Sequence, residues 1–123
     1  MYVNIDDIIN FNTSTPDIER YSLADEKVLS GKPSQELSNH YSSPCDQFHT
    51  GVWQGDKGQW QVEYTEHEYC EILSGTSVIR CDDGNEMRVT KGDRFVIPAG
   101  FSGTWEVIDT CKKVYVIFEA NKS

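Results

Sequence analysis

The chain has 123 residues and a mass of 14.0 kDa, a size that suits one domain. Its 20 acidic residues against 11 basic ones leave a formal net charge of -9, and such a surface repels phosphate backbones, so a nucleic-acid partner is not expected. No apolar run is long enough to span a bilayer, and the opening MYVNIDDIINF lacks the basic and then apolar layout of a secretory signal, so neither membrane nor secretion is expected and the cytoplasm is.

Residues 1–46 are rich in Ser, Asn, Asp and Pro, with short apolar clusters at Ile8-Ile9 and Val28-Leu29. This composition predicts an N-terminal arm that packs along the main domain or crosses to a second subunit, and hence a homodimer. Thr15-Pro16-Asp17 predicts one helical turn, since Pro suits the first helical position. From Phe48 the pattern is strand-like. Phe48–Gln54 is a strand, and Gly55-Asp56-Lys57-Gly58 is a turn by composition. Gln59–Thr65 alternates Trp60, Val62 and Tyr64 against Gln59, Gln61 and Glu63, which is the period of a strand. Strands over Glu68–Leu73 and Ser77–Asp82 follow, with a turn near Gly75. Asp83-Gly84 is a two-residue hairpin signal leading into Glu86–Thr90, because Gly accepts the positive φ the turn requires. Arg94–Ile97 stops at Pro98, and Thr104–Ile108 and Lys113–Glu119 complete the set. Many short strands separated by turns predict an all-β sandwich or barrel, residues 47–123, with residues 1–46 as the arm.

Cys45, Cys70, Cys81 and Cys111 show no CxxC spacing, so zinc-ribbon and redox-motif functions have no support. The turn at Gly75 leaves one question of register. A turn at Gly75-Thr76 sets Cys70 opposite Cys81, and a turn at Ser74-Gly75 sets Cys70 opposite Ile79. No Gly-rich phosphate cradle and no nucleophile elbow are present.

Two blocks carry a family likeness: EYCEILSG, in which Glu68 and Gly75 bracket the strand, and GDRFVIPAGFSGTWEV, in which Gly92, Pro98 and Gly100 set the frame. With the closing Lys-Lys-x-Tyr, they resemble the small single-domain cupins, RmlC-like jelly-roll barrels. The likeness is to the subgroup related to ureidoglycine aminohydrolase and the ethanolamine-utilisation cupin. It covers roughly residues 48–119. It implies a double-stranded β-helix whose interior holds the functional site. The histidines that hold a divalent ion in cupins are missing: their places fall on Val62 and Tyr64, or on Gln61 and Glu63, and the late one falls on Gly103. A typical site needs three imidazoles and a carboxylate, and of that set Glu68 alone remains. No metal cofactor is therefore expected.

The resemblance aims Glu68 into the barrel, where desolvation acts on its carboxyl, and makes it the candidate acid or base, or the group that grips an amine. Tyr64 either fills core or replaces an imidazole as hydrogen-bond donor, and Val62 shares its face. Cys70 follows Glu68 at strand parity as a small buried group. Trp105 lies on the face of Gly103 and narrows or caps the interior, while glycine at 103 leaves room for an organic ligand. Lys113 and Tyr115 share a face with Ile117; Tyr115 is read as a pocket residue, and Lys113 is either a ligand-binding residue that favours an ionised Glu68 and holds an acid group of a ligand, or a solvated lysine near a turn. Trp53 is a further wall candidate. Two functions follow from different classes. One is a barrel that binds a small polar organic ligand without metal. The other is a hydrolase or isomerase acting on an amino or ureido compound with Glu68 as acid/base; a metallo-cupin with non-standard ligands is the remaining variant.

Overall fold

A computed structural model describes residues 3–120. The strands are β1 (Asp17–Ser22), β2 (Val28–Gly31), β3 (Ser34–Ser42), β4 (Phe48–Gly55), β5 (Gly58–Glu63), β6 (His67–Cys81), β7 (Glu86–Thr90), β8 (Arg94–Ile97) and β9 (Ser102–Phe118). Helix is confined to the single turns Ile5–Asp7 and Asp25–Lys27 among the described residues. The protein is an all-β jelly roll.

Two long strands organise it. β6 and β9 run antiparallel to each other, from His67 opposite Phe118 to Cys81 opposite Gly103, with register shifts between Ile72 and Ser77. Those shifts divide each long strand into halves that serve different sides of one curled sheet. The first half of β6 pairs with β8, and its neighbour, the last half of β9, pairs with β4, followed by β3 and β1. The second half of β6 pairs with β7, and the first half of β9 pairs with β5, followed by β2. The curled sheet thus folds over itself and encloses a core.

Glycine at 75 permits the crossing. Its φ is 82°, and a Cβ there would stand 2.1 Å from the Thr110 carbonyl oxygen on β9. No L side chain fits that approach. The predicted turn at Gly75 is therefore a bend within one strand, not a hairpin. Neither register for Cys70 holds: Cys70 lies opposite Phe95 and Tyr115, Cys81 lies opposite Gly103, and both thiols are free. Likewise the strands expected over Thr104–Ile108 and Lys113–Glu119 are two parts of the one strand β9, which ends at Phe118.

Other local expectations change in the same way. The Asp83-Gly84 turn is one residue longer than predicted. Cys81 N–H donates to the Asn85 carbonyl at 3.0 Å, Gly84 N–H donates to the Cys81 carbonyl at 3.0 Å, and Gly84 takes φ 91°. This is the three-residue hairpin solution, with the left-handed residue last. No helical turn forms at Thr15-Pro16-Asp17, because Asp17 opens β1. A 3-10 turn forms instead at Ile5–Asp7, capped by the Asn4 side chain accepting from Asp6 N–H. Residues 17–42 supply β1, β2 and β3 to the same sheet as the rest. β3 pairs with β4 along most of its length, which makes this segment a wall of the barrel.

The core follows the alternation of the strands. Glu68, Cys70 and Ile72 point inward from β6, as do Gly103, Trp105 and Val107, then Cys111, Lys113 and Tyr115, from β9. Trp53, Trp60 and Trp105 cluster within it, with ring centroids 6.2 Å apart for Trp53–Trp60 and 5.9 Å for Trp53–Trp105. Burying an indole of this size contributes up to about 5 kcal/mol by area.

Candidate functional site

A cavity of about 260 Å³ opens into the barrel between the two sides of the curled sheet. Strand parity brings most of its wall together. β5 contributes Trp60 and Val62, Tyr64 follows just past its end, β6 contributes Glu68, and β9 contributes Trp105, Lys113, Tyr115 and Ile117. β4 adds Trp53, and β1 and β3 add Tyr21, Gln35 and Leu37. Of the residues singled out from the sequence, Trp53, Val62, Tyr64, Glu68, Trp105, Lys113 and Tyr115 line it. Cys70 does not: it is fully buried beneath Glu68 and donates its thiol to Glu68 Oε2 at 3.2 Å.

The chemical centre is a buried ion pair. Lys113 Nζ stands 2.8 Å from Glu68 Oε2, and each side chain is only 7% exposed. The lysine left between pocket and solvent is thus one of the most buried groups in the protein, because β9 continues through Cys111 and places Lys113 at an inward position. Its ammonium also lies 4.3 Å from the centroid of the Trp105 ring and 5.0 Å from that of Trp53. Those ring faces compensate part of the lost hydration. Desolvation opposes the Lys113 charge, and the Glu68 carboxylate outweighs it, so the lysine pKa is raised. Burial raises the phenol pKa of Tyr64 and pushes that of Tyr115 up to about 12, which keeps both protonated donors.

A second polar cluster comes from the N-terminal strands. Gln35 is 5% exposed. Its Oε1 accepts from Trp53 Nε1 at 2.8 Å and from the Tyr21 hydroxyl at 3.0 Å. Two donors on one atom fix the amide's orientation. Its Nε2 is left buried without a hydrogen-bond partner. Glycine makes this arrangement reachable. Gly55 lies opposite Gln35 across the β3–β4 ladder, and a Cβ at Gly55 would meet the Trp53 ring at 2.5 Å. The indole therefore lies over the bare backbone of Gly55 and reaches Gln35. Tyr115 donates to Asn39 Oδ1 of β3 at 2.7 Å, which ties the other end of the wall to the same strand.

Glycine at 103 does not leave the room expected of it. A Cβ there would stand 1.9 Å from the Arg80 carbonyl oxygen, so the position is occupied by the backbone of β6.

Cupin metal donors do not assemble around Glu68. Tyr64 and Val62 stand beside it, and Oε2 is taken by Lys113 and Cys70. His67 faces outward, where its Nδ1 accepts from Ala99 N–H at 3.1 Å. Among the described residues no three His, Cys, Asp or Glu side chains converge to hold an ion. An ammonium at 2.8 Å already supplies the positive charge that a cation would bring. The residues present do not fit a divalent metal.

The model of the EutQ-like cupin domain matches residues 42–115, more than half of the chain. The protein belongs to that family. Its fold is shared by the EutQ protein of Clostridium difficile, with a TM-score of 0.65 and 18% identity over 80% of this chain and 74% of that one. A protein of the DUF861 family from Pseudomonas syringae pv. tomato has a TM-score of 0.74 and 17% identity over 85% of this chain and 45% of that one. A DUF861 family protein from Thermotoga maritima reaches 28% identity over 53% of this chain and 74% of that one, with a TM-score of 0.52. No curated protein matches the sequence. The ethanolamine-utilisation side of the predicted resemblance is the one the family model matches. Among the described residues, no helix is long and apolar enough to cross a membrane.

Tyr21, Gln35 and Leu37 are the wall residues that sequence reasoning missed. SQELSNHYS, the sequence of β3, carries one aliphatic residue, so its alternation is invisible to a hydrophobicity pattern.

Proposed function

We propose that this cupin binds a small polar organic molecule in the barrel interior without a metal. The observation that supports it is a desolvated ion pair, Glu68–Lys113, in the wall of a cavity enclosed by three indoles. A buried pair of this kind is a weak source of stability, so its presence there favours recognition. Mostly apolar walls with few placed polar groups are the usual make-up of a ligand site.

A second reading, an enzyme, has Glu68 perform acid–base work on an amino or ureido compound. It draws on the Tyr64 phenol, held protonated in the same cavity. Binding is favoured because Glu68 Oε2 already accepts from both Lys113 and Cys70, which leaves that oxygen poorly placed to take a substrate proton. In a Glu68→Gln variant a catalyst keeps its fold and loses turnover, whereas a binder loses affinity alone.

The chain contains three Trp, and all of them line this cavity. Their indole N–H signals in a nitrogen–proton NMR spectrum therefore report on it without background. Mixtures of small amides, amines and carboxylic acids are expected to move these signals selectively. Indoles that no compound shifts would remove the proposal. Elemental analysis of protein purified without added metal is expected to find no stoichiometric Fe, Mn, Ni or Zn, and such a metal would overturn the metal-free part.

A homodimer and a cytoplasmic location belong to the same reading. Ile5, Ile8 and Ile18 are exposed on the N-terminal segment, where a second subunit would cover them. Four free cysteines suit a reducing compartment. Sedimentation as a monomer at micromolar concentration would refute the dimer.

A further inference from the structure

We infer that the cavity recognises a neutral amide-type carbonyl compound, whose oxygen accepts a hydrogen bond from Gln35 Nε2. The inference deepens the ligand-binding proposal above and rests on it.

Its basis is the hydrogen-bond inventory of the wall. Gln35 is buried, and its amide orientation is fixed because Trp53 Nε1 and the Tyr21 hydroxyl both donate to Oε1. The amide nitrogen therefore presents hydrogens, and no group of the protein accepts them. A buried donor without a partner costs about 1–3 kcal/mol, and native proteins carry few of them. An occupant that supplies an oxygen acceptor relieves that cost.

The rest of the wall narrows the class. Among the described residues, Glu68 and Lys113 are the charged side chains lining the cavity, and they neutralise each other at 2.8 Å. An anionic ligand would meet a cation already engaged, inside a chain of net charge -9. A cationic ligand would have to displace Lys113 from Glu68. A neutral acceptor fits without disturbing the pair. The phenols supply the complementary function. Tyr21 gives its hydrogen to Gln35 and Tyr115 gives its hydrogen to Asn39, so each oxygen retains lone pairs that accept from an N–H. Donor amide, acceptor phenols and flat indole faces match a small planar molecule that carries C=O and N–H together. The volume of about 260 Å³ equals that of about nine waters in the liquid, which limits the occupant to a small ring or short chain.

The test uses δ-valerolactam as probe and tetrahydropyran as a neutral ring of the same size with neither carbonyl nor N–H. Both are titrated into nitrogen-labelled full-length protein, and the side-chain amide signals of Gln35 are followed beside the three indole signals. The lactam is expected to shift the Gln35 amide and the indoles in one binding curve, at least tenfold more tightly than tetrahydropyran. The Gln35→Glu variant at pH 8 keeps an acceptor for Trp53 and Tyr21 but lacks the amide hydrogens. It is expected to bind the lactam about tenfold more weakly or worse, as for loss of a buried donor. If the variant does not fold, the shift of the wild-type Gln35 amide decides alone. Lactam that moves the indoles but not the Gln35 amide overturns this inference and leaves cavity binding standing. Indoles that neither probe moves overturn both.

Discussion

Replacing Lys113 by Met keeps the hydrocarbon stem and removes the charge. Glu68 is then left 7% exposed with no ammonium at 2.8 Å. Removing one partner of a buried ion pair costs about 3–5 kcal/mol, because the other charge remains desolvated. The ring faces of Trp105 and Trp53 lose their cation as well, which adds on the order of 1 kcal/mol. With a urea slope of about 2 kcal/mol/M, the unfolding midpoint falls by about 2–3 M. The double variant Glu68→Gln, Lys113→Met removes both charges and is expected to recover most of that loss, since the penalty lies in the unpaired charge and not in the absence of attraction. Equilibrium urea unfolding of the wild type, both single variants and the double variant closes the cycle. A Lys113→Met protein within 1 kcal/mol of the wild type would refute the reasoning, and so would purely additive single effects.

The same pair sets a pH signature. The Lys113 pKa is raised in the folded protein, burial being outweighed by Glu68. A raised lysine stabilises the fold fully below its unfolded value of about 10.4, and that contribution is lost as pH rises through the higher folded value. The stability that Lys113 supplies through its own ionisation is therefore constant from neutral pH to about pH 9 and declines only above 10.

Two further outcomes follow from the packing. Cys45 is exposed, and its thiol pKa is lowered by the Ser43 hydroxyl at 3.2 Å, whereas burial pushes Cys70 up to about 12 and raises Cys111. A disulfide-exchange reagent is expected to label Cys45 first and to reach Cys70 and Cys111 only on denaturation; early labelling of Cys70, read by peptide mass, would contradict its burial beneath Glu68. Gly55→Ala places a methyl group 2.5 Å from the Trp53 ring. The ring must move off Gln35, at a cost of about 1–3 kcal/mol for overpacking, and near-ultraviolet circular dichroism should change with it. An unaltered spectrum and midpoint would mean that Trp53 does not lie over Gly55.

Strand parity made the inner wall legible. Trp60, Val62 and Tyr64 alternate in plain view, and Glu68 can be placed by the family frame. The bend at Gly75 was not legible as a bend, because a glycine between two apolar runs looks the same whether the chain reverses or crosses a neighbour. The difference depends on Thr110, which lies 35 residues away in β9 and whose carbonyl fills the space a side chain would need. Lys113 stayed divided between pocket and solvent for a related cause. A lysine is costly to bury without a partner, and its partner lies on another strand, so pattern alone favours solvent. The N-terminal strands were the least visible. Tyr21 and Gln35 occupy inward positions that a hydrophobicity period reads as surface.

That last failure bears on function. The family match covers residues 42–115, whereas Tyr21, Gln35 and Leu37 precede it. The matched segment supplies the frame and the ion pair, and the preceding strands supply the orphan donor and one of the accepting phenols. Shared membership in the EutQ-like cupin family therefore speaks for how the barrel is built, while β1 and β3 add Tyr21, Gln35 and Leu37 to its wall from outside the matched segment. The fold makes this division natural. β3 hydrogen-bonds to β4 through the backbone, which is indifferent to side chains, so its inward positions are free to vary without disturbing the ladder. Gln35 is such a position. Its acceptor atom is committed to Trp53 and Tyr21, which leaves its amide hydrogens as the donor that the inference above assigns to a ligand.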